Sequence, residues 1–139
     1  MNAFADSSAV VKLYVAEPGH ELVRPLGRIT ISAVTQVEVP AALWRKHRTG
    51  ELSARQAQHL TVAFANDVGG AGPRFVTVGV SPRILQHGVS LVARHPLRAY
   101  DAVQLATALA VIQADPSMRF ASFDAQLNAA AAAEGLPLL

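Results

Sequence analysis

Ile29-Thr30-Ile31-Ser32-Ala33-Val34-Thr35-Gln36-Val37-Glu38-Val39-Pro40-Ala41-Ala42-Leu43-Trp44-Arg45-Lys46-His47-Arg48 is the stretch that decides the fold. Its first three residues are β-branched and read as a strand. Ser32 is then expected to open a long helix from Ala33 to Arg48, which Gly50 ends. Pro40 lies inside that helix and is expected to kink it, because proline has no N–H to give. A strand that feeds a helix with no hairpin between them is half of a parallel crossover.

The same alternation recurs in both directions along the chain. Upstream, Ala3 to Ala5 is a short apolar run ending at Asp6, and Ser7-Ser8 can cap a helix reaching Val15. Glu17-Pro18-Gly19 breaks that helix, and a short one is expected around His20 to Leu26. Downstream, Ser53 caps a helix with Leu60 and Phe64 four residues apart on one face. Phe75 to Val78 reads as a third strand, and Ser81-Pro82 starts another helix. His95-Pro96 breaks it. Ala99 to Ala114 is the most regular helix, Arg119 to Ser122 a fourth strand, and Ala125 to Glu134 a helix by alanine propensity. Gly135 stops that helix, leaving Leu136 to Leu139 as a possible last strand. Four or five strands separated by helices imply an α/β fold, a three-layer α/β/α sandwich around a short parallel sheet.

Composition bounds what such a fold can do. A chain of 139 residues, 51% hydrophobic, fits one domain over 1–139 and buries enough surface to need no staple. The absence of cysteine excludes disulfides, thiol catalysis and thiolate zinc sites, and fits a reducing cytoplasm. Mean hydropathy is mildly positive, but 26 alanines inflate it. No uncharged apolar run reaches 18 residues, so no membrane span is expected. The N-terminal segment carries acid where a signal peptide would carry base. The loop Gly69-Gly70-Ala71-Gly72-Pro73 has neither dinucleotide nor Walker spacing and precedes a strand, so a plain connection is its simpler reading.

The acids fall where a parallel sheet would use them. Ligands of open α/β sheets bind beyond the carboxyl ends of the strands. Asp6 directly follows the first strand, and Asp124 lies just past the fourth. Asp101 occupies the first turn of the helix from Ala99. Glu38 stands two turns into the helix after the second strand, among Val37, Val39 and Ala41. Each aspartate also has an ordinary reading as a helix cap or first-turn acid. If the four converge, repulsion decides the chemistry: two unit charges about 5 Å apart repel by roughly 3 kcal/mol at an effective dielectric of 20. Such a cluster needs a cation or holds protons, and hard oxygen ligands favour Mg2+ or Mn2+. The chemistry this suggests is metal-dependent phosphodiester hydrolysis.

Asp6-Ser7-Ser8-Ala9, Glu38-Val39-Pro40-Ala41-Ala42-Leu43, Arg98-Ala99-Tyr100-Asp101-Ala102-Val103-Gln104-Leu105-Ala106 and Ser122-Phe123-Asp124, in that order, resemble the successive motifs of PIN-domain ribonucleases. The resemblance extends to Glu134-Gly135-Leu136-Pro137 and is nearest to the VapC-like toxins of VapBC toxin–antitoxin pairs. It implies that Asp6, Glu38, Asp101 and Asp124 form a Mg2+ site (Mn2+ being an alternative) in an endoribonuclease, with Ser122 supporting a ligand beside the last acid. Ser8 matches a small hydroxyl position, for which helix capping is an equal reading. Some relatives carry a further carboxylate just past the last aspartate, whereas this chain has Ala125 and Gln126. The resemblance also implies a cytoplasmic toxin, a cognate VapB-like antitoxin and a homodimer. A PIN-like processing nuclease without antitoxin and a non-catalytic RNA- or protein-binding module are the alternatives.

The cations suit that substrate. Net charge is +2, yet ten of the twelve bases are arginine, whose planar fork matches phosphate. Arg45, Lys46, His47, Arg48 and Arg55 gather around one interhelical turn, where a solvated helix end is the simplest reading and RNA contact the functional one. Arg45, Arg48 and Arg98 are the candidate RNA-binding residues. Trp44 and Tyr14 are read as packing residues rather than base platforms. The five histidines show no HExxH spacing, and no GxSxG elbow supports a serine nucleophile.

Overall fold

The computed structural model describes residues 1–139. In chain order the elements are β1 (Ala3–Ala5), α1 (Ser7–Val11), α2 (His20–Val23), β2 (Ile29–Ser32), α3 (Thr35–Arg48), α4 (Ala54–Gly69), β3 (Phe75–Val78), α5 (Pro82–Arg94), α6 (Ala99–Ala114), β4 (Arg119–Ala121) and α7 (Ala125–Ala133). The four strands form one parallel sheet in the order β3-β2-β1-β4. The chain steps outward from β1 to β3, then returns past β1 to lay β4 on the other side. The order therefore reverses between β1 and β4.

Period-two alternation of side chains divides the interior between the two faces of the sheet. Ala3, Ala5, Ile29, Ile31 and Phe75 pack with Val10, Val39, Leu43 and Phe64 from the helices of one face. Phe4 and Phe120 stack in the opposite direction, against Leu91, Leu105, Ile112 and Leu127 from α5, α6 and α7. This is the expected α/β/α sandwich. Within it, α5 and α6 approach closely at Gly88, where a β-carbon would stand 3.8 Å from the Ala102 carbonyl oxygen.

Several local expectations change in the folded chain. Ser32 does not open α3: it is the buried last residue of β2, and α3 begins at Thr35 with no side-chain cap. Asp6, not Ser7 or Ser8, caps the first helix, accepting from Ala9 N. That helix stops at Val11, because Lys12, Leu13 and Tyr14 bond three residues back and tighten the chain into turns. The helix expected around 20–26 ends at Val23. As expected, helix α3 continues past Pro40 to Arg48; the carbonyl that proline leaves unbonded belongs to exposed Gln36, within reach of water. Leu136 to Leu139 is not a strand but makes a single bridge, Leu138 to Phe120. By contrast, Ser53 forms the expected cap, as a full capping box with Gln56. No helix is long and apolar enough to cross a membrane.

Candidate active site

The carboxyl ends of β1, β2 and β4 open into a cleft of about 840 Å³, and all four singled-out acids, Asp6, Glu38, Asp101 and Asp124, line it. Asp6 lies at its floor. It is 3% exposed, one residue past β1, with its N–H bonded to the Ala121 carbonyl of β4. Its Oδ1 accepts from Ser8 Oγ at 2.6 Å and from Ala9 N at 3.0 Å, while Oδ2 accepts from Ser122 Oγ at 2.6 Å. Ser122 Oγ also accepts from Asp124 N, and Ser8 Oγ accepts from Phe123 N. Two hydroxyls thus tie the ends of β1 and β4 together around one carboxylate. The capping and cleft-lining readings of Asp6 coincide, and so do those of Asp124, whose Oδ1 caps α7 through Leu127 N.

Glu38 and Asp101 come from helices. Glu38 is half-buried on α3, its Oε1 accepting from Gln104 Nε2 at 2.6 Å. Its neighbours diverge: Val39 is buried, whereas Val37 is 73% exposed at the cleft rim. Asp101 sits in the first turn of α6 and accepts from Arg98 Nε at 3.3 Å.

Burial and the neighbouring charges disfavour ionisation of Asp6 and of Glu38. Desolvation pushes the Asp6 carboxyl up, against its three hydrogen bonds, and the charge of Asp124 adds to the rise. Glu38 is also raised, first by burial and further by Asp6 and Asp101, while the Gln104 hydrogen bond opposes the shift. The four acids are therefore electrostatically linked across the cleft. In this conformation, however, no three acids or histidines converge tightly enough to hold one cation. The donor set is nonetheless all oxygen, and its unneutralised charge fits a hard divalent ion.

A group whose pKa is raised on folding supports stability fully below its unfolded value and loses that support as pH rises through the folded value. Ionised Glu38 therefore opposes folding at neutral pH. Metal-free Glu38→Gln is expected to melt a few degrees above the parent near pH 7, the gap closing towards pH 4 or below. Melting curves in chelator across that range test this; a lower melting temperature for the variant near pH 7 would contradict it.

The candidate RNA-binding arginines separate. Arg45 and Arg98 line the cleft, but Arg48 does not. Arg98 is engaged by Asp101, whereas Arg45 makes no ion pair. Lys46 is drawn out of the basic group by Glu17 at 2.6 Å and Glu51 at 3.2 Å. Tyr14 packs edge-on against Phe64 and donates to Asp67, consistent with a packing role.

Sequence reasoning missed Gln104 and Lys12. Lys12 lines the cleft, pairs with Glu17 at 3.0 Å and stands 4.5 Å over the Phe123 ring. Gly19, at φ 94°, lies so close to that ring that a β-carbon would collide with it. The sequence signals were that Lys12 is one of two lysines and that Gln104 interrupts an apolar helix within the motif from Arg98 to Ala106.

Comparisons with known proteins agree with this architecture. The PIN domain family model matches residues 3–133. The chain is 32% identical over 136 residues to "Ribonuclease VapC45" of Mycobacterium tuberculosis, covering 95% of this chain and 90% of that protein. Among solved structures, Mycobacterium tuberculosis VapC20, described as a sarcin-ricin loop cleaving toxin, superposes with a TM-score of 0.64. The identity is 14%, with coverage of 99% of this chain and 98% of the other. A toxin-antitoxin complex from Klebsiella pneumoniae gives a TM-score of 0.55 at 21% identity, covering 88% and 86%.

Proposed function

The chain belongs to the PIN-domain family, among its VapC-type members, and we propose that it is a Mg2+-dependent endoribonuclease acting as the toxin of a toxin–antitoxin pair. The observation that carries this reading is the arrival of Asp6, Glu38, Asp101 and Asp124, from four separate segments, at one cleft beside the strand-order reversal. The naming of a 32%-identical relative as a ribonuclease supports it.

Asp6, Asp101, Asp124 and Glu38 would hold Mg2+ (or Mn2+), which when bound supplies an acidified water and charge stabilisation on phosphate oxygen. The chain's own residues do the rest. Ser8 and Ser122 hold Asp6 so that its carboxylate cannot turn. Ser122 also orients the Asp124 backbone. Arg45, unpaired at the rim, offers a fork to the RNA backbone. Lys12 and Lys46 line the same wall, but Glu17 and Glu51 neutralise them, which leaves Arg45 as its unpaired cation.

The fold shared with a protein from a toxin-antitoxin complex supports a cognate antitoxin as partner. For a homodimer, Leu85, Val89 and Val92 provide an exposed apolar stripe on α5 at helical spacing.

Sequencing the RNA ends produced with Mg2+, with Mn2+ and with chelator tests the activity. Cleavage that survives chelation contradicts the metal requirement, and no cleavage with either cation favours a binding module. A short upstream reading frame for a small DNA-binding protein separates a toxin from a processing nuclease. Arg45→Ala is expected to weaken RNA binding and make the slope of log affinity against log salt shallower by about one. Arg48→Ala should change that slope less, because Arg48 lies outside the cleft. Fluorescence-anisotropy titrations at several salt concentrations measure both, and equal effects would remove the assignment of Arg45.

A further inference from the structure

Behind the acids lies a polar contact that no step above uses. Gln104 sits in the middle of α6, three residues after Asp101, and is 1% exposed. Its amide nitrogen donates to Thr35 Oγ1 at 2.9 Å and to Glu38 Oε1 at 2.6 Å, so one side chain of α6 grips two residues of α3. Thr35 is itself fully buried. The Oε1 of Gln104 is buried with no hydrogen-bond partner. For packing alone, methionine would fill a similar volume without stranding an acceptor. The amide orientation follows from its surroundings: the opposite one would turn a carbonyl oxygen against the Glu38 carboxylate.

We propose that Gln104 is a positioning residue for Glu38, pinning Oε1 so that the carboxylate meets a divalent cation through its other oxygen. The inference rests on the reading of the acids as a cation site. Thr35 anchors the amide from behind, so the donor cannot follow Glu38 if the carboxylate swings away. The same contact registers α3 against α6 and keeps Glu38 within the field of Asp101, which comes from the start of α6. A carboxylate held in one orientation loses less freedom when it binds an ion, and partners of this kind commonly change metal affinity by about ten- to a hundredfold.

The test is the affinity for Mn2+ alone, read from the electron paramagnetic resonance signal of free Mn2+ during titration. Gln104→Met is expected to weaken binding about tenfold relative to the parent. In a Glu38→Gln background the same change is expected to alter affinity less than about twofold, because the carboxylate through which Gln104 acts is gone. Parent-like affinity in folded Gln104→Met overturns the proposal. So does an equal loss in both backgrounds, since that reports a general disturbance of the core. If Gln104→Met does not fold, Thr35→Val removes the anchor at nearly constant volume. It is expected to weaken Mn2+ binding measurably, only when Glu38 is present, and unchanged affinity there also overturns the proposal. A parent protein that binds no Mn2+ defeats the cation reading itself, and this inference with it. A loss confined to the variants leaves the cation reading standing.

Discussion

Asp101→Asn is expected to lower Mg2+-dependent RNA cleavage by at least about a hundredfold, since loss of even an outer partner of a metal ligand costs ten- to a hundredfold. Of the four acids it is the one whose replacement disturbs the fold least. Asp6 is buried with three hydrogen bonds, Asp124 caps α7, and Glu38 is tied to Gln104. Asp101 caps nothing, and its one ion-pair partner is Arg98, whose side chain is 85% exposed. An ion pair that open contributes little to stability. The variant should therefore keep the parent's far-UV circular dichroism and melt within a few degrees of it. RNA-end sequencing beside the parent measures the loss. Undiminished cleavage by a carefully purified Asp101→Asn protein removes Asp101 from the site.

Phe120→Ala is the largest expected effect on stability. Phe120 is fully buried in the centre of β4 and stacks on Phe4 of β1, with ring centroids 6.3 Å apart and planes 11° from parallel. It lies in the hydrophobic layer under α5, α6 and α7. Deleting such a ring typically costs about 3–5 kcal/mol, which for a chain of this size lowers the melting temperature by roughly 10 °C or more. Because Ser122 and Asp124 hang from the end of β4, the cavity also loosens the tie between Ser122 and Asp6. Thermal and urea unfolding measure the loss. A change below about 1 kcal/mol would show that the surrounding helices collapse into the space.

Much of the fold was legible because its signals are local. The β-branched run Ile29 to Ile31, the capping box at Ser53 and the proline at the start of α5 act within a few residues. The boundaries were less legible: Ser32 is a good cap in isolation, but pairing of β2 with β3 extends the strand through it. The final apolar residues fail to make a strand because only Leu138 reaches a partner. Val37 and Val39 differ in burial because residues two apart on a helix point to opposite sides, Val39 into the core and Val37 towards the cleft rim.

By itself, the sequence determined the α/β class, the caps at Ser53 and Ser81 and the two aspartates that follow strand ends, Asp6 and Asp124, all set by neighbours close along the chain. Tertiary structure alone decided which side of the sheet each helix covers and that β4 returns beside β1, bringing Asp6 and Asp124 into each other's field. It also separated Arg45 from Arg48, three residues apart on one helix, and joined Gln104 to Glu38 across 66 positions. These pairings depend on strand order and helix packing. A side chain's local pattern states that it is polar and on a helix, but its partner is chosen by what lies across the fold.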